Sequence, residues 1–121
     1  LLDAPTQHVT IRSHVKPKQQ DRVWKALSDR TRRTMMDLLA EKERTTGELS
    51  AAFPKLSRFA VMKHLKILHR AGLLITRREG RRRWNQLNPV PLRQAMRRWL
   101  SRYEQLWADA LIDIKEEAER D

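Results

Sequence analysis

The apolar residues between positions 57 and 71 recur at the spacing of one helix face. Val61, Leu65 and Leu68 stand four and three residues apart, so a helix over about 57–71 would bury them in a single stripe. Ser57 is a suitable N-cap for this helix. The outward face then carries basic and large apolar side chains, namely Arg58, Phe59, Met62, Lys63 and Lys66.

A basic hairpin is predicted directly after this helix. Gly72 stands where a left-handed C-terminal cap is expected. Leu73–Arg78 and Arg82–Asn88 have the character of two strands joined across Glu79-Gly80-Arg81. The hairpin, or wing, therefore spans about residues 73–88. It carries five arginines: Arg77, Arg78, Arg81, Arg82 and Arg83.

A short helix is predicted just before the helix over about 57–71. Thr45, followed three residues later by Glu48, forms a capping box, and Pro54 ends the helix because it lacks a backbone donor. Helix, tight turn, helix and basic hairpin is the winged helix-turn-helix plan, in which the second helix enters a major groove of DNA. The predicted fold class is therefore mainly α with a small β-hairpin, a winged helix-turn-helix domain.

Two helices are predicted closer to the N-terminus. Asp21 is a suitable cap for a helix that carries Val23, Trp24 and Leu27. Asp29 caps the next helix, Thr31–Lys42, with Met35, Leu38 and Leu39 inward. Arg32 and Arg33 lie in its first turn, where we expect them to be solvated rather than paired with acids or phosphates.

Residues 1–20 read as a flexible arm ahead of one domain over 21–121. The arm mixes Pro5 and Pro17 with polar residues, and Val9, Ile11 and Val15 hint at a short strand. Its basic side chains either touch phosphates or are simply solvated.

The last part of the chain reads as one long amphipathic helix, about 91–118, entered through Pro89 and Pro91. At 1.5 Å per residue such a helix would be about 45 Å long, which is more than one small domain can cover. The helix either packs only on its own core or pairs two copies of the chain, and its two tryptophans favour the homodimer. The predicted dimer contacts are Trp24, Leu92, Met96, Trp99, Tyr103, Leu106, Trp107 and Ala110.

Positive charge is concentrated on the predicted helix over about 57–71 and on the wing. The chain has 121 residues and a formal net charge of +11, which favours a polyanionic partner. Residues 54–83 hold ten Lys and Arg against one acid, whereas residues 84–121 hold six against seven. This distribution favours a docked nucleic acid over a generally adhesive surface. No apolar run approaches membrane-spanning length, so the expectation is a cytoplasmic protein without membrane association.

The chain resembles the ArsR/SmtB family of bacterial winged-helix repressors over about residues 21–115. The resemblance rests on the segments ALSDRTRRTMMDLL, TTGELSAAF, LSRFAVMKHLKILHRAGLL and RREGRRRWNQLNP. It implies a DNA-binding repressor that dimerises through its first and last helices. Where the family usually has a proline after the capping Asp, this chain has Arg30.

Individual side chains of the recognition helix have specific candidate contacts with double-stranded DNA. Ser57 both caps the helix and can donate to a phosphate. Arg58 and Lys63 are long enough to reach base edges, where they pair best with guanine, and Lys66 suits a phosphate.

Three other positions of this helix leave alternatives open. Met62 and Phe59 can contact a thymine methyl group, or Phe59 can fold back on the preceding turn. His64 lies at the edge of the stripe, where it either binds a phosphate or acts as a satisfied boundary histidine. On the wing, Arg78, Arg81 and Arg82 are the favoured DNA contacts, because a narrow minor groove attracts inserted arginine.

The sequence predicts no metal site and no cofactor. There is no cysteine, so the thiolate sensing motif of many relatives is missing, and the last helix has carboxylates but no histidine. His8 and His14 in the arm are expected to be solvated. A small-molecule effector, a protein partner, or autorepression without a ligand remain as modes of regulation.

The leading functional hypothesis is a homodimeric, sequence-specific repressor that binds a two-fold symmetric operator. The alternatives are a low-specificity architectural nucleic-acid-binding protein and a winged helix used mainly for protein interaction. No nucleophile–base pairing or Gly-rich phosphate loop is recognisable, so an enzyme is not predicted.

Overall fold

The structure is a computed structural model that describes residues 17–120. The predicted strand at Val9, Ile11 and Val15, and the arm histidines His8 and His14, lie outside this range. Five helices and three strands follow one another in the described part: α1 Pro17–Leu27, α2 Arg30–Glu41, β1 Arg44–Thr45, α3 Thr46–Ala52, α4 Arg58–Arg70, β2 Leu74–Glu79, β3 Arg82–Leu87 and α5 Val90–Arg120.

Helix α1 begins four residues before its predicted cap. Pro17 is its first residue, a position where a missing N–H costs nothing and a fixed φ suits the helix. Asp21 is therefore an exposed residue inside α1, and the prediction that it caps the helix is wrong. Val23 and Ala26 are fully buried, so α1 contributes to the core from its middle onwards.

Helix α2 is capped by Asp29, as predicted. The Asp29 side chain accepts a hydrogen bond from the backbone N–H of Arg32 at 3.0 Å. Met35 and Leu39 are buried on its inner face. Arg32, in contrast, is only 7% exposed, so the prediction that it is solvated is wrong.

The three strands form an antiparallel sheet in the order β1-β3-β2. The predicted hairpin is present as β2 and β3, and β1 adds a third strand that the sequence did not reveal. Thr45 pairs with Trp84 of β3 and is also the N-cap of α3. One residue therefore joins the sheet to the helix-turn-helix.

The turn between α4 and β2 needs glycine. Gly72 has φ of 77°, and the N–H of Leu73 donates to the carbonyl of Leu68 at 3.0 Å, closing the end of the helix. Leu68 and Leu73 are fully buried beside Met35 and Leu49. This turn fixes the direction in which the wing leaves the recognition helix.

We expect the Asp29 cap to stabilise the fold in a pH-dependent way. The Arg32 N–H, with help from the positive charge of the Arg32 guanidinium group, holds the pKa of Asp29 below its ordinary value. A lowered carboxylate pKa adds stability above the unfolded pKa, and this contribution is lost as pH falls through the folded pKa, here below about pH 4. Asp29→Ala should cost about 1 kcal/mol at pH 7, measured by urea unfolding.

Asp29→Asn is the matched control for this prediction, because asparagine caps equally well but does not titrate. Its stability deficit relative to the parent should shrink as the pH falls below about 4. An Asp29→Ala protein as stable as the parent at pH 7 would show that the cap contributes nothing.

Candidate nucleic-acid interface

The recognition helix α4 has the two faces that its sequence predicts. Its Ser57 cap accepts a hydrogen bond from the N–H of Ala60 at 3.0 Å. Val61, Leu65 and Leu68 are buried beneath it. The side chains predicted to point outward are exposed: Arg58, Phe59, Met62, Lys63 and Lys66. Phe59 is 77% exposed, so it does not fold back onto the domain.

Helix α3 packs against α4, and a capping box fixes its N-terminus. Thr45 Oγ1 accepts from the N–H of Glu48 at 3.0 Å, and Glu48 Oε1 accepts from the N–H of Thr45 at 3.1 Å. The hydrogen bond from the Thr45 backbone lowers the pKa of Glu48, so the carboxylate stays charged at neutral pH. Leu49 is fully buried and anchors the helix in the core.

The wing turns through Gly80 and Arg81, two residues between paired strands. Gly80 has φ of 64°, a left-handed value that a two-residue hairpin turn needs at its first position. Glu79 faces Arg82 across the hairpin, and Arg78 faces Arg83. Because residues that pair across a ladder share one face, Arg78 and Arg83 lie on the same face of the wing.

Helix and wing meet at a cleft of about 460 Å³. Arg58 and Met62 enter it from α4, and the first turn of α3 forms part of its wall. The wing supplies the four arginines Arg78, Arg81, Arg82 and Arg83. In the part of the chain that the structure describes, none of these five arginines forms an ion pair with a carboxylate. Their positive charge is therefore available to an anionic ligand such as a phosphate backbone.

Arg83 belongs to this arginine cleft but was not among the favoured contacts. The sequence places the turn across three residues, Glu79-Gly80-Arg81, which would set Arg78 opposite Arg82. The observed two-residue turn shifts the register by one, and Arg83 takes that position. A two-residue Gly-X turn is a recognisable hairpin signal, so the sequence did contain the information.

A second, open groove of about 680 Å³ runs along the outer side of α4. Phe59, Met62 and Ile67 contribute apolar surface to it. Its cationic residues are Lys25, Lys63, Lys66, Arg70 and Arg83. Lys25 and Arg70 are therefore further candidates for backbone contact. Nothing in the sequence selects Lys25, because its position beside α4 depends on how α1 packs, and Arg70 is the last residue of α4, beyond the predicted contacts.

His64 is a half-buried boundary residue that accepts a hydrogen bond from Arg32. Arg32 Nη1 lies 3.2 Å from His64 Nδ1, while its other nitrogens donate to the carbonyls of Ala26 and Lys25, both at 2.9 Å. A guanidinium group only donates, so Nδ1 must accept and the ring proton sits on Nε2. The second alternative for His64, a satisfied boundary histidine, is the one that this geometry supports, although Nε2–H keeps a donor for a phosphate.

The predicted dimer contacts lie along α5 and on α1. Trp24, Trp99 and Tyr103 stack edge to face in a row, with ring centroids 5.9 and 5.4 Å apart. Beyond this row the apolar side chains of α5 meet water: Leu106 is 64% and Trp107 is 69% exposed. Within residues 17–120, Ala95 is the one fully buried side chain of α5. A continuous apolar stripe is thus left uncovered on a single chain.

Within residues 17–120 no three His, Cys, Asp or Glu side chains gather into a group that could hold a metal ion. Among the same residues, no helix is both long and apolar enough to cross a bilayer.

The chain is similar in sequence to known bacterial regulatory proteins. Residues 29–76 match the profile described as bacterial regulatory protein, arsR family. The chain is 43% identical over 94 residues to the HTH-type transcriptional regulator Rv2034 of Mycobacterium tuberculosis, covering 78% of this chain and 83% of that protein. It is 34% identical over 74 residues to the transcriptional repressor SdpR of Bacillus subtilis, covering 61% and 81%.

Solved structures give the same picture. The ArsR family transcriptional regulator RHA00566 superposes with a TM-score of 0.70 at 29% identity, over 78% of this chain and 96% of that one. The homodimeric winged helix-turn-helix DNA-binding domain Mb0332 of Mycobacterium bovis superposes with a TM-score of 0.55 at 27% identity, over 86% and 85%.

Proposed function

The chain belongs to the ArsR family of bacterial regulatory proteins, and on that premise we propose that it is a homodimeric repressor that binds a two-fold symmetric operator. It is a transcriptional regulator with a winged helix-turn-helix DNA-binding domain. Membership of this family supports a regulatory rather than a catalytic role and action in the cytoplasm, where bacterial operators are.

The observation that carries the proposal is the meeting of α4 and the wing at the arginine cleft. Arg58 and Lys63 project from a face that is free to enter a major groove, where they can pair with guanine edges. Arg78, Arg81 and Arg83 stand beside that face, where they can follow the phosphates or enter the minor groove. Phosphate contacts would then supply affinity and base contacts the choice of site.

Two copies are supported by the uncovered stripe on α5 and by the homodimeric state of Mb0332. A two-fold dimer presents two recognition helices to successive major grooves, about 34 Å apart, which requires an operator with the same symmetry. Repression is supported by the similarity to the repressor SdpR. A dimer bound across a promoter would exclude RNA polymerase. We assign no metal effector, and a small molecule or a protein remains the class of effector to test.

A second candidate function is low-specificity architectural binding of nucleic acid. It is favoured by one observation, the four arginines that the wing adds to the cleft. Such a surface binds any duplex through its backbone, with strong salt dependence but a small preference among sequences.

Titration of the full chain against two duplexes distinguishes these functions. The operator is first selected from a pool of random duplexes, and a scrambled version of it serves as the control. We expect a preference of at least about 1,000-fold for the selected site. Both affinities should fall steeply between 50 and 200 mM salt, by about 1,000-fold if six phosphates are contacted.

Each other outcome has a defined meaning. Equal affinity for both duplexes would exclude sequence-specific repression and leave the architectural function. Failure to bind either duplex at low salt would exclude both functions and leave the winged helix as a protein-interaction module.

A further inference from the structure

Arg77 differs from the other four wing arginines in where it lies. Strand alternation places it on the face of the wing that Trp84 shares, because Arg77 and Trp84 are paired across the hairpin. Arg78 and Arg83 lie on the opposite face and line the arginine cleft. Arg82 shares the face of Arg77 by alternation but lies next to the turn and also lines the cleft, whereas Arg77 does not. The wing therefore separates one arginine from the surface that meets DNA.

The guanidinium group of Arg77 pairs with carboxylates of its own chain. Nη1 donates to Glu43 Oε2 at 2.5 Å and Nη2 donates to Glu43 Oε1 at 3.0 Å, so the pair is bidentate. Glu79 adds a longer contact at 3.5 Å. The Arg77 guanidinium also lies over the Trp84 ring, 5.3 Å from its centroid. The hydrogen bonds between Arg77 and Glu43 raise the pKa of Arg77 and lower that of Glu43, so both groups stay charged at neutral pH.

Glu43 is placed where it can hold the wing against the body of the domain. It lies between α2 and β1, next to Arg44, whose Nε donates to the carbonyl of Leu38 at 3.0 Å. The backbone ladder from β1 reaches β3 only at Asn85 and Trp84. Arg77 is level with Trp84, the last β3 residue that pairs with β1 on the way to the tip, and Glu43 lies just before β1, so the contact crosses the sheet where the wing leaves its backbone support.

We propose that Arg77 is a positioning residue, and that Glu43, Arg77 and Trp84 form a brace that sets the angle of the wing against the recognition helix. The proposal rests on DNA binding as the proposed function. Without the brace, the tip of the wing would pivot about the two-residue pairing with β1, and its arginines would lose their alignment with α4. Arg77 itself touches no DNA.

The sign of one substitution tests this directly. Glu43→Gln raises the net charge by one, so bulk electrostatics alone would tighten binding to any duplex. The brace predicts the reverse, a loss of about three- to tenfold in affinity, because a glutamine amide offers one acceptor oxygen instead of two and no charge, so the bidentate pair with Arg77 is lost. Tighter binding by Glu43→Gln would overturn the proposal.

Arg77→Gln and Arg78→Gln form a matched pair, since they are neighbours with the same change in charge. Arg77→Gln should weaken binding while leaving the slope of log affinity against log salt unchanged, whereas Arg78→Gln should reduce that slope by about 0.9. The double variant Glu43→Gln with Arg77→Gln should lose no more affinity than either single variant. A reduced slope for Arg77→Gln, or additive losses in the double variant, would overturn the proposal.

Amide hydrogen exchange in the absence of DNA separates failure of the brace from failure of the proposed function. Exchange of the wing amides over residues 77–84 should be about three- to tenfold faster in Glu43→Gln than in the parent, with an unchanged urea midpoint. Unchanged exchange would overturn the brace whether or not the chain proves to bind DNA. Faster exchange without any DNA binding would confirm the brace and contradict the proposed function.

Discussion

Replacing Arg58 and Lys63 together by glutamine should lower the affinity for the selected operator by about 100-fold or more. Each well-placed base contact contributes about 1–3 kcal/mol of discrimination, so two contacts correspond to between about 30-fold and 25,000-fold. Both side chains are exposed on the outer face of α4, so the substitutions should leave the core intact. The measurement is a titration of both duplexes at fixed salt, with the urea midpoint as the check on folding.

The loss should be much larger for the operator than for the scrambled duplex. Lys42→Gln with Lys115→Gln is the matched control, because it removes two exposed positive charges that lie outside both grooves beside α4. The control should weaken binding to both duplexes slightly and by the same factor. Equal losses on the two duplexes for the Arg58 and Lys63 variant would show that these side chains contribute charge and no base recognition.

Ala110→Glu on α5 should abolish the dimer and, with it, tight operator binding. Ala110 lies in the middle of the apolar stripe and is exposed on the single chain, so the new carboxylate meets water in the monomer. In a two-fold dimer the substitution buries two unpaired charges at one interface, and each costs about 3–5 kcal/mol. The dimer dissociation constant should rise by at least about 1,000-fold, measured by analytical ultracentrifugation.

Ala108→Glu is the matched control for this prediction. It is the same substitution on the same helix, but two residues correspond to about 200° of helical rotation, so the carboxylate points away from the stripe. Ala108 is also exposed, and glutamate is a good helix former at both positions. Ala108→Glu should remain a dimer with the parent's affinity for DNA. An Ala110→Glu protein that stays dimeric would exclude the α5 stripe as the interface.

The features that the sequence predicted correctly depend on residues close together in the chain. Thr45 and Glu48 are three residues apart, as are Ser57 and Ala60, and each forms its hydrogen bonds regardless of the rest of the fold. The stripe of α4 is equally local, because helical periodicity alone brings its members to one face. The positions of the helix-turn-helix and of its exposed cations follow from these short-range rules.

The features that the sequence missed depend on distant partners. Arg32 is buried where the carbonyls of Ala26 and Lys25 and a histidine 32 residues later accept its hydrogen bonds, and nothing beside Arg32 in the chain reveals this arrangement. Glu43 and Arg77 are 34 residues apart. Strand β1 has only two residues, too few to show alternation, and it exists because β3 offers a free edge. The register of the wing depended on a choice between two turn lengths, which shifts every pairing by one residue.

The uncovered stripe on α5 also affects how the concentration of operator-binding dimer depends on the total concentration of the chain in a cell. If only paired chains occupy the operator, then below the dissociation constant of the pair the active species grows with the square of total chain concentration. Halving the supply of chain would leave about a quarter of the active species, so a gene under its control would respond steeply to modest dilution or proteolysis. The apolar stripe on α5 would in this way set the concentration of chain at which expression of the regulated gene changes.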